Sequence, residues 1–196
     1  MNSSSDIAIV GGGVIGLSIG WELLRRDRSV TLFERGQIGS GASRAAAGML
    51  APAAELDFEE SDLLELGLES LARYPDFVER LQEATGRDVD YRDDETLVVA
   101  VDRDDAEALD HIYSYQTELG LDVERLGAAR ARQMEPGLAP KIHGALMCRS
   151  DHQVDPRKLV EALGNAFRQA GGTLHEGTEI REIRVDGSVR GVVTQD

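Results

Sequence analysis

Two short apolar runs near the start of the chain, Ile7–Val10 and Val30–Phe33, show no alternation with polar residues. Uninterrupted runs of that length suit strands covered on both faces. Between them, Val14, Leu17, Trp21 and Leu24 recur at helical spacing and predict a helix over 14–27. Residues 6–34 thus read as strand, helix, strand, one βαβ unit. Farther along, SDLLELGLESLARYPDFVERLQEATG is amphipathic at helical period. Ser61 is placed to cap that helix, Pro75 to divide it in two, and Gly86 to end it.

The pattern then changes. DETLVVAVD predicts a strand ending at Asp102, DAEALDHIYSYQTELG an amphipathic helix closed by Gly120, and HGALMCRS another strand. Helical period returns in DHQVDPRKLVEALGNAFRQAGG, with Asp155 as N-cap, Pro156 at the first position and Gly171–Gly172 as the stop. TLHEGTEIREIRVDGSVRGVV reads as short strands, with Asp186–Gly187 as a hairpin turn. The expected class is α/β. One domain takes residues 1–86 and resumes at 150–196, and an α+β block, 87–149, is inserted between them. The chain stops just after a strand with no closing helix, so the first domain is expected to be incomplete at its C-terminus.

Composition adds exclusions. Hydrophobic residues make up 41% and charged residues 29%, ordinary for a globular chain. No apolar run approaches the roughly 18 residues that span a bilayer. MNSSSD carries Asp6 and no basic residue, and glycines break the run after it, so no targeting segment is expected. Cys148 is the single cysteine, which rules out an intramolecular disulfide and fits a reducing cytoplasm. The net charge of −15 argues against nucleic acid as a partner. The only lysines are Lys141 and Lys158, a balance that suits a salty cytoplasm as well as an ordinary acidic protein.

The motif that carries chemistry is IAIVGGGVIGLSIG. Gly11, Gly13 and Gly16 form G-x-G-x-x-G directly after a strand and at the opening of a helix. Gly11 permits a tight turn, Gly13 lets the main chain approach a pyrophosphate, and Gly16 allows close helix–strand packing. The free N–H groups at Val14 and Ile15 lie at the positive end of the helix, where phosphates bind. Glu34 ends the second strand, at the distance where a carboxylate accepts from ribose hydroxyls. Strand, fingerprint, helix and acid together predict a dinucleotide site. They leave the dinucleotide open: Gly20 and the choice of Glu lean toward FAD, whereas Arg35 suits the 2′-phosphate of NADP.

GASRAAAGMLAP, residues 41–52, follows the second strand and carries five alanines, two glycines and one serine. A surface loop would use Asp, Asn or Pro, and each glycine costs about 1 kcal/mol inside a helix. A flat, bulky group lying against this main chain accounts for its bareness. An Ala-rich helix packed on the sheet is the alternative.

With these residues in view, the chain resembles the D-amino-acid oxidase superfamily of flavoenzymes, and within it the glycine oxidases of thiamine biosynthesis. The resemblance rests on GGGVIGLSIGWELLRR, FERGQIGSGASRAAAGMLAPAAE, LGLESLARYPDFVERLQEATG and DHQVDPRKLVEAL, and runs along essentially the whole chain. It implies a Rossmann-like FAD-binding domain of the glutathione-reductase type, with an inserted α+β substrate domain and non-covalent FAD. By resemblance, the Gly11–Gly16 turn with Val14 and Ile15 holds the pyrophosphate, and Glu34 and Arg35 the adenosine ribose region. Ala42 and Ser43 contact phosphate and ribitol; Ala47, Gly48 and Met49 line the flavin beside Ala46; Ile180 offers its backbone to the adenine.

The resemblance also implies oxidative deamination of glycine or a similar small amino acid. The products are oxo acid, ammonia and hydrogen peroxide, the imine feeds thiazole synthesis, and the full-length family is homo-oligomeric. A sarcosine oxidase or D-amino-acid dehydrogenase relative, or a non-catalytic flavin-binding subunit, are the alternatives. Family members are longer, and the arginine that grips the substrate carboxylate lies in their C-terminal region. This stretch is therefore expected to be an N-terminal portion, inactive alone, and no catalytic residue is assigned. His111, His143, His152 and His175 show no metal-ligand spacing. Cys148 reads as a buried apolar residue, and ELDFEESD and YRDDET as solvated acidic faces.

Overall fold

The computed structural model of the chain describes residues 4–56 and 61–195. In order, the elements are β1 (Ile7–Val10), α1 (Val14–Leu24), β2 (Val30–Phe33), α2 (Ala42–Ala45), β3 (Met49–Leu50), α3 (Ser61–Thr85), β4 (Thr96–Ala100) and α4 (Arg103–Glu118). There follow β5 (Val123–Leu126), α5 (Ala128–Met134), β6 (Gly144–Cys148), β7 (His152–Gln153), α6 (Pro156–Gln169), β8 (Thr173–His175), β9 (Ile180–Asp186) and β10 (Ser188–Thr194). They form two compact units: Met1–Gly48 with Asp76–Asp90 and Asp155–Asp196, and Met49–Pro75 with Tyr91–Val154. The stretch 1–86 is thus shared between the two units.

The first unit is built on a parallel sheet in the order β1–β2–β8, with Ile7 opposite Val30 and Thr31 opposite Thr173. Helices α1 and α6 pack together beside it. Leu17 and Trp21 of α1, Leu32 of β2, and Leu163 and Phe167 of α6 are all buried. Burying a side chain of this kind contributes roughly 1.5–3 kcal/mol. The close approach needs a glycine: a Cβ on Gly20 would lie 2.7 Å from the Phe167 ring. Trp21 also meets the edge of Phe77 in the second half of α3, with ring centroids 5.8 Å apart. Strands β9 and β10 form a hairpin turned at Gly187, whose φ is +67°.

Central β2 is buried as its apolar run predicts, but β1 is not: Ala8 and Val10 are exposed, Val10 at 56%. The order explains the difference, since among the described residues β1 has a strand on one side only. Helix α1 stops at Leu24, short of residue 27, and Asp27 turns the chain away with φ +58°.

Pro75 does not divide α3, which runs unbroken from Ser61 to Thr85. Proline removes one N–H donor from the ladder, but its fixed φ is itself helical, and the turns on either side carry the helix through. Ser61 is the first helical residue rather than the cap, and the position before it lies outside the described residues. Gly86 does close the helix: its φ is +67° and its N–H donates to the Gln82 carbonyl at 2.7 Å.

The second unit centres on the antiparallel sheet β4–β6–β5. Every residue of β6 is buried. Leu146 and Cys148 cluster with Leu109 of α4, and the alternate residues Ala145 and Met147 cluster with Ala131 of α5. Strand β4 ends at Ala100, earlier than expected, because Asp102 serves the next element: its carboxylate caps α4 by accepting from the Asp105 N–H at 2.9 Å. Two-residue β3 pairs antiparallel with β7, Met49 opposite Gln153 and Leu50 opposite His152. No helix among the described residues is long and apolar enough to cross a membrane.

Candidate dinucleotide site

The fingerprint forms a turn between β1 and α1. Gly11 has φ +110°, a left-handed value that favours glycine, and donates its N–H to the Phe33 carbonyl at 2.8 Å. A Cβ on Gly16 would sit 2.0 Å from the Gly11 carbonyl oxygen, so only glycine fits there. Gly13 occupies the N-cap position of α1 and has no side chain to cap with. Ser43 does so from a distance in sequence: the Val14 N–H donates to Ser43 Oγ at 3.0 Å. Among the described residues, the Gly13 and Ile15 N–H groups carry no hydrogen bond. Both remain available to an anion at the positive end of the helix.

Glu34 stands directly after β2, and both of its oxygens are engaged. Oε2 accepts from the Gly12 N–H and Oε1 from the Gly36 N–H, each at 2.8 Å. The acid therefore fastens the glycine turn to the end of the second strand. A carboxylate has about four lone-pair sites, so both oxygens keep capacity for ribose hydroxyls. The Glu34 main chain is tied to the residues after β8: its N–H donates to the His175 carbonyl, and its carbonyl accepts from the Thr178 N–H. Ile180 lies just beyond that tie, at the first position of β9 and half-buried. Arg35 is exposed.

The alanine-rich segment does not form a helix packed on the sheet. Helix α2 is four residues long, Ala42–Ala45, and buries none of them. Ala46 is extended, Gly48 has φ +87°, and Ala46, Ala47 and Met49 are exposed, Met49 at 44%. The main chain is bare here, as the composition predicts.

The structure thus brings together Gly11, Gly13, Val14, Ile15, Gly16, Glu34 and Ser43, with Ala42 beside Ser43 in α2. These groups fit a dinucleotide. Two free N–H groups, a hydroxyl and a carboxylate with spare lone pairs surround glycine main chain that a Cβ at Gly12, Gly13 or Gly16 would crowd.

Other polar groups lie elsewhere. Burial pushes the Cys148 thiol up to about 12, so it is inert. His152 shares a 2.6 Å hydrogen bond with the Tyr91 hydroxyl, and His175 stacks on Phe33. Among the described residues, no group of three or more His, Cys, Asp or Glu can hold a metal. Two buried polar residues escaped the sequence reading altogether. Asp151 opens the stretch that leads to the Asp155 cap and Gln116 is one polar position of an amphipathic helix, yet both are fully buried.

The comparisons with known proteins agree with this geometry. A glycine oxidase from Geobacillus kaustophilus (strain HTA426) is 41% identical over 189 residues, covering 96% of this chain and 50% of the relative. The bifunctional protein ThiO/ThiG of Synechocystis sp. (strain ATCC 27184 / PCC 6803 / Kazusa) is 36% identical over 197 residues, covering 99% of this chain and 28% of the relative. The crystal structure of glycine oxidase from Bacillus cereus ATCC 14579 superposes with a TM-score of 0.90 at 34% identity, over 98% of this chain and 52% of that one. The chain thus spans about half the length of the glycine oxidases it matches. The family described as DAO, FAD dependent oxidoreductase, matches residues 6–196. Cradle, alanine-rich segment and family match agree, and the chain belongs to the FAD-dependent oxidoreductases of the DAO family.

Proposed function

We propose that this chain is the cofactor-holding part of a flavoenzyme that oxidises glycine or a comparably small amino acid with oxygen. The observation that carries the reading is the hydrogen bond from Val14 to Ser43. It fastens the bare segment onto the fingerprint helix, so the two features that point to FAD share one cradle. The glycine oxidases among its relatives support the substrate class, and the ThiO/ThiG relative supports a place in thiamine biosynthesis.

FAD, when bound, supplies the two-electron oxidation of the amine. The amino acid loses two electrons and two protons across its Cα–N bond. Water hydrolyses the imine to an oxo acid and ammonia, and oxygen takes the electrons and protons to become hydrogen peroxide. The residues of this chain bind and orient. The Gly13 and Ile15 N–H groups and the Ser43 hydroxyl would hold the pyrophosphate; the Val14 N–H, expected there with Ile15, donates to Ser43 instead. Glu34 receives the ribose hydroxyls while keeping Gly12 and Gly36 in place, with Arg35 beside it. Ile180 offers its main chain to the adenine. Ala42 and Ser43 meet the phosphate and ribitol. The methyl groups of Ala46 and Ala47 and the bare Gly48 would leave room for the flat ring system, with Met49 next along the chain.

Two measurements test the reading. Ala47→Leu is expected to abolish the yellow flavin absorbance of the purified chain and leave its far-ultraviolet circular dichroism unchanged. An unaltered flavin spectrum in that variant would overturn the assignment of the segment. The full reading frame, assayed with glycine, sarcosine and D-proline, is expected to release peroxide fastest with glycine. A preference for sarcosine, or oxidation without peroxide, would move the substrate or acceptor to another branch of the family.

A further inference from the structure

The turn after the alanine-rich segment is held in a way that the proposed chemistry has not used. Asp151 is 0% exposed, and among the described residues no cation pairs with it. Its Oδ1 accepts from the Ala53 N–H at 3.1 Å and its Oδ2 from the Ala54 N–H at 2.9 Å. Gln116 of α4, also 0% exposed, donates from Nε2 to the Ala53 carbonyl at 2.7 Å. Side chains from separate elements therefore reach both backbone groups of Ala53, whose carbonyl also accepts from the Leu56 N–H at 3.2 Å. Next to Asp151, β7 grips the same segment through its ladder with β3, Leu50 opposite His152 and Met49 opposite Gln153.

This arrangement is expensive. A buried carboxylate without a salt bridge is poorly solvated, and burial raises the Asp151 carboxyl against the pull of its two N–H partners and of neighbouring His152. Gln116 Oε1 is buried with no partner among the described residues. A turn that needed only to be stable would be served better by neutral, fully matched groups. The segment so held forms one wall of an apolar groove of about 290 Å³, where Leu50, Ala51 and Pro52 face Leu64, Leu71 and Tyr74.

We infer that Asp151 and Gln116 are positioning residues that lock the main chain of residues 49–54, setting where Met49 is presented and where the wall Leu50–Pro52 of the groove stands. The inference rests on the flavin reading only for the role of Met49. Grip and groove both lie within the second unit.

Amide hydrogen exchange, followed residue by residue, tests it on this chain with two variants. Asp151→Asn replaces one acceptor oxygen by an NH₂ group that faces an N–H donor. Exchange at Ala53 or Ala54 is expected to quicken at least tenfold, while Val98 and Leu146 of the central sheet keep their rates. Gln116→Leu removes the side-chain grip on the Ala53 carbonyl, leaving it the Leu56 N–H, and also removes the orphaned oxygen. It is expected to quicken the same two amides without lowering the thermal midpoint, a split that a purely structural residue would not produce. With FAD added, both variants are expected to shift the flavin absorbance maximum relative to the unaltered chain.

Unchanged exchange at Ala53 and Ala54 in both variants would overturn the inference, as would a rise shared equally by Val98 and Leu146. If the unaltered chain takes up no flavin while the exchange responses appear as expected, the flavin reading fails and the positioning role stands.

Discussion

Glu34 and Ser43 each hold the fold together beside the cofactor role proposed for them, and that structural role cannot be read from sequence. Spacing from the fingerprint marks Glu34 as a ribose acceptor, but nothing in the pattern shows that its two oxygens also fasten Gly12 and Gly36. Ser43 is legible as one polar residue in a bare stretch, and its hold on Val14 depends on how the chain returns in space. Gly16 is the opposite case, because its role is wholly local. A methyl group there would lie 2.0 Å from the Gly11 carbonyl oxygen, a main-chain atom that cannot swing aside. Gly16→Ala is expected to remove dinucleotide binding and lower stability by about 1–3 kcal/mol, the usual cost of overpacking. Equilibrium denaturation with and without FAD checks both effects. Asp151 and Gln116 could not have been picked out, since burial of a polar side chain among loops and helices depends on tertiary neighbours.

At the level of elements, legibility follows the strength of the local signal. Helix α6 carries a cap, a proline at its first position, an apolar stripe and a double-glycine stop, and it forms at the expected bounds. Strand β5 and helix α5 went unread. VERL is too short to show a period, and AARARQM carries little apolar character for its seven residues. Their places are set by β6, which they flank. Pro75 misleads because proline is a breaker on average and a tolerated residue in a helix that is held on both sides.

The cap of α6 gives a measurable consequence. Asp155 accepts from the Arg157 and Lys158 N–H groups at 2.8 and 3.0 Å, and these bonds, the Lys158 one foremost, hold its carboxyl below the usual range. Asp155→Ala is expected to cost about 1 kcal/mol at neutral pH, as caps generally do. A depressed folded-state value means that the cap's contribution is complete above the ordinary carboxylate range. It fades as the pH falls through the depressed value. Denaturant midpoints of the two proteins should therefore converge in strong acid.

For the whole molecule, the net charge of −15 is the dominant long-range term. Self-repulsion disfavours the compact state, and salt screens it, with a Debye length of about 10 Å at about 0.1 M. The thermal midpoint is expected to climb as NaCl is raised from about 0.05 to about 0.5 M, and scanning calorimetry measures it. The same composition is silent about how the chain is shared out. It passes from one compact unit to the other at 48/49, 75/76, 90/91 and 154/155, the second time inside a single helix. No linker marks those passages, so the sequence reads as one run from the fingerprint to residue 86. Such interleaving constrains recombination with relatives. A chimera made with one breakpoint joins mismatched pieces of both units, and exchanging the cofactor unit whole requires several breakpoints chosen together.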